Sequence, residues 1–465
     1  MLLNAGVNRV DISPEVGVAH AGWGAQTHQV SVGNDMPLSV TAIVIENKGV
    51  ELAIIDVDIG IFTNQQDLEI RQLISDRSGI PFENIRLAYT HTHSGPITFG
   101  QWIKDGVDVA ENWWSKIPQA CTDAVISAEA SMVPARTGFG RGSCDININR
   151  RPARPNGDLF TGRNWNGFVD HDVDVISFDD VEGKPIATIV NYAMHPTIMG
   201  HENAWVTPDF PGPMRTVVEQ TVGGLCLFLQ GASGNQGPVD GFTGDLAVYR
   251  KAGAMLGVEA ARVRLAIDPV ERKEVLREII VSGADLGIYE DVLVYESDDT
   301  VAVSNESVEL PARDVLPVAA AELMFSAREK ELADLRASDV SEEEIRRGVS
   351  KVMRANIQLS VAMLADRNIK DGHIEITAQS MRIGDTVLVS IPVEPFAELA
   401  CEVKKRSISK NTVFSGFSNG HINYLATDQA FEEGGYEVSV TVFAPGSAEL
   451  VIDASIKAIE NVISR

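Results

Sequence analysis

Apolar, β-branched runs recur along this 465-residue chain, and several stop at a chemically capable side chain beside a Gly- or Pro-containing loop. Leu52-Ala-Ile-Ile-Asp-Val-Asp58, Ile186 to His195, Leu225-Cys-Leu-Phe-Leu-Gln230 and Thr386 to Glu394 are runs of this kind. They are short, and too apolar to leave one face in water, so they read as strands covered on both sides. Helical patterns separate them, at 64–78, 107–131, 245–266, 396–405 and 447–462. The alternation predicts an α/β fold of mixed β-sheets flanked by helices. Residues 107–131 read as one long helix, and about 270–304 alternates like strands. Asp314–Ala337 and Ser341–Asn368 read as two charged amphipathic helices, a helical hairpin inserted at about 310–370.

The run Arg86-Leu-Ala-Tyr-Thr-His-Thr-His-Ser-Gly-Pro96 carries the sharpest chemistry. Read as a strand, it puts His91 and His93 on one face and Thr90 and Thr92 on the other. Two imidazoles at a strand end before a Gly-Pro loop suit a metal or a proton relay; the alternative is a surface pair on an edge strand. The second strand with this ending is Ile186–His195, stopped by Pro196, with His201 a weaker candidate in the polar loop behind it. Glu394 ends an apolar strand between prolines, where an unpartnered carboxylate is costly, so a metal is the better reading. Asp56 and Asp58 share a strand face and are candidates to orient ligand histidines, or are polar strand-end residues. Trp23, in the Gly-rich loop at 20–25, either lines a pocket or packs a turn. Arg150 lies where a strand becomes a loop, a common place for a substrate-holding guanidinium and equally for a surface arginine. Ser233 sits among glycines like a nucleophile, but Asn235 stands where the last glycine of GxSxG belongs.

If those strand ends share a rim, His91, His195 and Glu394 form a mononuclear site suited to Zn²⁺ with a position open for water, which is hydrolase chemistry. No HExxH is present, so the chain is not a standard zincin. A net charge of −26 provides no basic stripe for nucleic acid and no attraction to anionic lipid. No stretch reaches the length of a membrane span, and the start lacks the basic and apolar regions of a signal peptide. Cys121, Cys144, Cys226 and Cys401 are scattered without a CxxC. Together these features predict a cytoplasmic protein with no integral membrane segment.

At these residues the chain resembles the neutral/alkaline (non-lysosomal) ceramidases, zinc amidases that cleave an N-acyl bond. The likeness runs through Thr90-His-Thr-His-Ser-Gly-Pro96, Asn147-Ile-Asn-Arg150, Asn191-Tyr-Ala-Met-His-Pro196, Gly231-Ala-Ser-Gly-Asn235, Ile391-Pro-Val-Glu394 and Ser418 to Thr427, in the family's order. The resemblance implies a single catalytic domain over 1–465 acting on a small-molecule N-acyl substrate. It implies zinc held by His91, His195, Glu394 and the phenol of Tyr424, with His93 as proton carrier or carbonyl contact and Arg150 and Ser233 holding substrate. The family's serine stretch usually reads Gly-Asp-Val-Ser-Pro-Asn; here Ala232 and Gly234 flank Ser233. His421 stands where a second tyrosine is usual, so His421 competes with Tyr424 for the last metal position. Too few residues follow Tyr424 for the family's C-terminal β-sandwich. Beside the amidase stand a metal-dependent hydrolase or lyase of another small substrate, a serine hydrolase using Ser233, and a binding protein that keeps the metal without turnover.

Overall fold

Strands Ser39–Asn47 and Val50–Val57 are joined by Lys48 and Gly49, both at positive φ (51° and 83°), as a two-residue turn matching strand twist requires. In these strands Ile43, Ile45, Leu52 and Ile54 face one core while Ala42, Val44, Ala53 and Ile55 face another. That two-sided burial is what the apolar runs predict, and it extends to a sheet of eight strands. Its order is Leu225–Gln230, Pro185–Tyr192, Asp172–Asp180, Val133–Ser143, Leu3–Asp11, Ser39–Asn47, Val50–Val57, Ile85–Tyr89. The two outermost pairings are parallel and the inner ones antiparallel, so the sheet is mixed. The computed structural model describes residues 2–464 except 21, 24, 27 and 98–102.

A smaller mixed sheet runs Val301–Pro311, His373–Ile383, Thr386–Ser390, Asn411–Ser415, and packs face to face on the first through Met381, Ile383, Leu388 and Val413. Helices cover both outer faces. Asn64–Ser78, Ile117–Ala130, Pro211–Val222 and Leu246–Ala266 lie on the large sheet; Ala397–Arg406 and Ser447–Ile463 lie on the small one. The result is helix, sheet, sheet, helix, with strand ends free to meet at one rim.

Three local expectations need amending. Residues 107–131 form two helices, Val107–Trp114 and Ile117–Ala130. Pro118 stands in the first turn of the second, where it has no N–H to continue a helix from the first. The strand at 85–89 ends before either histidine; His91 has φ of 64°, so strand alternation is not what brings His91 and His93 together. Residues 271–295 are indeed strands, but they form a two-stranded ribbon, Glu271–Ile280 with Leu286–Tyr295, exposed along its length. The helical hairpin is Val318–Arg336 and Glu342–Asn368, the second helix opened by a capping box between Ser341 and Glu344.

Candidate active site

His91 and His93 follow the strand Ile85–Tyr89 at the edge of the large sheet, and His195 follows Pro185–Tyr192 nearer its other edge. Glu394 and Tyr424 come from a short parallel pair in which they are directly opposite, fixed by the Glu394 N–H donating to Asn423 O at 2.9 Å. The 231–238 loop ties these pieces together. His195 N–H donates to Gln236 O, Arg150 N–H to Asn235 O, and Gly234 N–H to Pro395 O at 2.8 Å. A side chain at 234 would press against the carbonyl oxygens of Glu394 and Pro395, and a proline there would lose that donor; this accounts for glycine beside Ser233.

The imidazoles of His91 and His195 are held in one tautomer by backbone carbonyls. His91 Nδ1 lies 2.7 Å from Gly60 O and His195 Nδ1 3.3 Å from Ser233 O, so both donate there and turn unprotonated Nε2 inward. His91 Nε2 is 3.1 Å and His93 Nε2 3.2 Å from His195 Nε2. Burial drives His91 down to about 3 and His93 and His195 well below the ordinary range, so these rings are neutral. Glu394 Oε2, 3.6 Å from His91 Nε2 and 4.0 Å from His195 Nε2, is buried without a hydrogen-bond partner among the described residues. Neutral histidines make these contacts something other than ion pairs. Burial pushes the Glu394 carboxyl up, opposed by His421 and Arg150. Inward lone pairs and an unpartnered buried carboxylate oxygen repel one another unless a cation lies among them. His91, His93 and His195 lie close enough together to hold an ion, with Glu394 Oε2 beside them, and imidazole and carboxylate donors of this kind fit a divalent metal.

Tyr424 and His421 both reach Glu394. His421 Nε2 is 3.6 Å from Glu394 Oε1, with Nδ1 2.9 Å from the hydroxyl of Tyr89, and burial lowers its pKa to about 4. Tyr424 lies opposite Glu394 in the short strand pair, and its hydroxyl oxygen accepts from Arg150 Nη2 at 3.0 Å. Arg150 is in turn fixed by Glu437, which takes Arg150 Nε at 2.9 Å and Arg151 Nη1 at 2.7 Å. Above this floor lies a cavity of about 530 Å³. Trp23, Trp113, Trp114, Ile59 and Phe242 give it apolar walls, and His201 borders it. Trp23 rests on the His93 ring at 5.2 Å between centroids.

Other sequence candidates sit elsewhere. Ser233 is fully buried behind His195, where its Oγ accepts from Gln230 Nε2 at 2.6 Å, and it does not line the cavity. Asp56 and Asp58 do not orient the histidines. They clasp Arg215, each with an oxygen 2.8 Å from its Nη2, and also accept from Phe228 N–H and Ser39. Gly60, Tyr89 and Glu437 serve the site without any motif that marks them; a backbone carbonyl leaves no trace in a sequence, and Glu437 is one acid among several near Gly434-Gly435.

The neutral ceramidase of Pseudomonas aeruginosa is 27% identical over 247 residues, 50% of this chain and 36% of that protein. Neutral ceramidase A of Dictyostelium discoideum is 26% identical over 210 residues, 41% of this chain and 29% of that protein. The matched part thus spans about a third of these relatives' length. Two solved structures share the fold across the chain. One, "Ceramidase complexed with C2", has a TM-score of 0.70 at 18% identity over 100% of this chain and 76% of that one. The other, neutral ceramidase from Pseudomonas aeruginosa, has a TM-score of 0.69 at 20% identity over 99% and 75%. The model of the family described as "Neutral/alkaline non-lysosomal ceramidase, N-terminal" matches residues 3–242, a span that contains the inward-facing histidines, Arg150 and Ser233. By that match over more than half its length, the chain belongs to the neutral/alkaline non-lysosomal ceramidase family.

Proposed function

We propose that this chain is a zinc-dependent amidohydrolase that cleaves an N-acyl bond, in ceramide or a related N-acyl amine. The observation that carries the reading is the meeting of the unprotonated Nε2 atoms of His91 and His195 with the unpartnered Glu394 Oε2 beneath an apolar-walled cavity. His91, His195, Glu394 and the phenol oxygen of Tyr424 would hold the ion. Zinc bound there supplies Lewis acidity and lowers the pKa of water.

The chain's own groups do the rest. His93 borders the cavity as a neutral imidazole, so it accepts the proton of the attacking water at Nε2 and passes it to the leaving nitrogen. Arg150 donates into the Tyr424 oxygen, which leaves the phenol polarised toward charge developing on the carbonyl oxygen. Glu437 holds the Arg150 guanidinium in that direction. The indole and aliphatic walls take up the acyl chain and exclude water. A serine route through Ser233 has nothing to support it, because that hydroxyl is buried and bonded to Gln230. A strong chelator is expected to abolish hydrolysis of an N-acyl amine and added Zn²⁺ to restore it. Full activity in metal-free protein contradicts the proposal.

A further inference from the structure

One wall of the cavity belongs to the helical hairpin. On the helix Glu342–Asn368, residues Met353, Asn356, Ile357, Ser360 and Val361 line it, the spacing of a single helix face. The opposite face, with Val352, Ala355, Leu359 and Ala362, packs on Phe325 and Leu332 of the partner helix, so the wall is braced. Asn356 is the anomaly. It is 3% exposed overall and lines the cavity, and no hydrogen bond joins its side-chain amide to another described residue. The Ser360 hydroxyl donates to the Asn356 backbone carbonyl at 3.1 Å and leaves the amide free. Two donors and an acceptor thus border the cavity, open to a hydrogen-bonding group inside it.

We infer that Asn356 is a specificity-determining residue that pairs with a hydroxyl group of the substrate flanking the scissile bond. The inference rests on the amidase reading and narrows it to hydroxyl-bearing N-acyl amines. The apolar remainder of such a substrate lies against the indole wall, while the hydroxyl exchanges hydrogen bonds with the Asn356 amide. An analogue lacking the hydroxyl displaces water from the amide without replacing its hydrogen bonds, so it loses binding without losing the chemistry.

The test uses zinc-loaded protein and matched amides. N-hexanoyl-ethanolamine is compared with N-hexanoyl-propylamine, and 2-hydroxyhexanoyl-propylamine with the same propylamide. Wild type is expected to prefer the hydroxylated member of at least one pair by about tenfold in kcat/KM. Asn356→Leu should erase that preference, raising KM for the hydroxylated member more than for the plain amide. Asn356→Ala should show the same loss of preference if leucine crowds the wall. No preference in wild type, or an unchanged preference in both variants, overturns the proposal and leaves the amidase reading standing. Hydrolysis of none of these amides overturns both.

Discussion

Glu437 was reached only through the fold, and it gives the sharpest energetic prediction. Its carboxylate is 2% exposed and accepts from two guanidinium groups, Arg150 at 2.9 Å and Arg151 at 2.7 Å, themselves 5% and 6% exposed. Although burial works against its charge, Tyr424 and Glu437 hold Arg150 more firmly protonated than usual. Glu437→Gln keeps the volume and removes the charge. Glutamine has one acceptor oxygen for two guanidinium donors, and its NH₂ group faces the other arginine donor to donor. Removing one partner of a buried ion pair typically costs about 3–5 kcal/mol, because the remaining charge is left uncompensated. Arg151 keeps Gly434 O at 2.8 Å and Glu433 at 3.4 Å, so the lower end, about 3 kcal/mol, is expected. Denaturant unfolding followed by circular dichroism reads the loss. Kinetics should show a fall in kcat larger than the rise in KM, since Arg150 no longer holds the Tyr424 phenol. Adding Arg151→Met should recover part of the stability through coupling between the two sites. A stability change under about 1 kcal/mol with unchanged kcat would refute the chain of support from Glu437 through Arg150 to Tyr424.

Further outcomes follow from the same geometry. Ser233→Ala should keep hydrolysis within about tenfold of wild type, since it removes one hydrogen bond from Gln230; near-complete loss would restore the serine as nucleophile. Tyr424→Phe should weaken zinc binding measured by competition with a chelating dye, while His421→Phe should leave it within about tenfold; the reverse order assigns the position to His421. Asp209 is buried, and burial raises its carboxyl from 3.8 to about 7 although the Met199 and Phe210 N–H groups oppose the rise. The folded state then binds that proton more tightly than the unfolded chain between these values, so stability should decline as pH rises from about 4 to about 7. Asp209→Asn should flatten the decline, and an unchanged slope would remove Asp209 as a source.

Much of this site could be read from the sequence because its donors sit at ends of runs that must be buried. A histidine or glutamate closing such a run, against proline or glycine, has no good reason to be there except chemistry; His91, His195 and Glu394 all stand out in that way. Both halves of the helical hairpin followed from local chemistry just as directly. Long-range partners did not. Asp56 and Asp58 looked like supports for the histidines, but Arg215, distant in sequence, claims both. Gly60 and Ser233 orient the imidazoles through carbonyl oxygens, a property every residue has. The positive φ of His91, with Phe417, Asn419 and Asn423 in the same region of backbone space near the site, reflects tertiary constraint that no periodicity encodes. Asn356 was hidden for a related reason: one polar residue on an amphipathic helix reads as solvated until the fold closes a cavity over it.

Zinc content measured by mass spectrometry on purified wild type and Glu394→Gln, both first confirmed folded, tests the central claim most directly. The account predicts one zinc per wild-type chain and a large loss in Glu394→Gln, because Oε2 is the buried oxygen that faces His91 and His195. Equal zinc in both proteins, or none in wild type after incubation with excess metal, would contradict it.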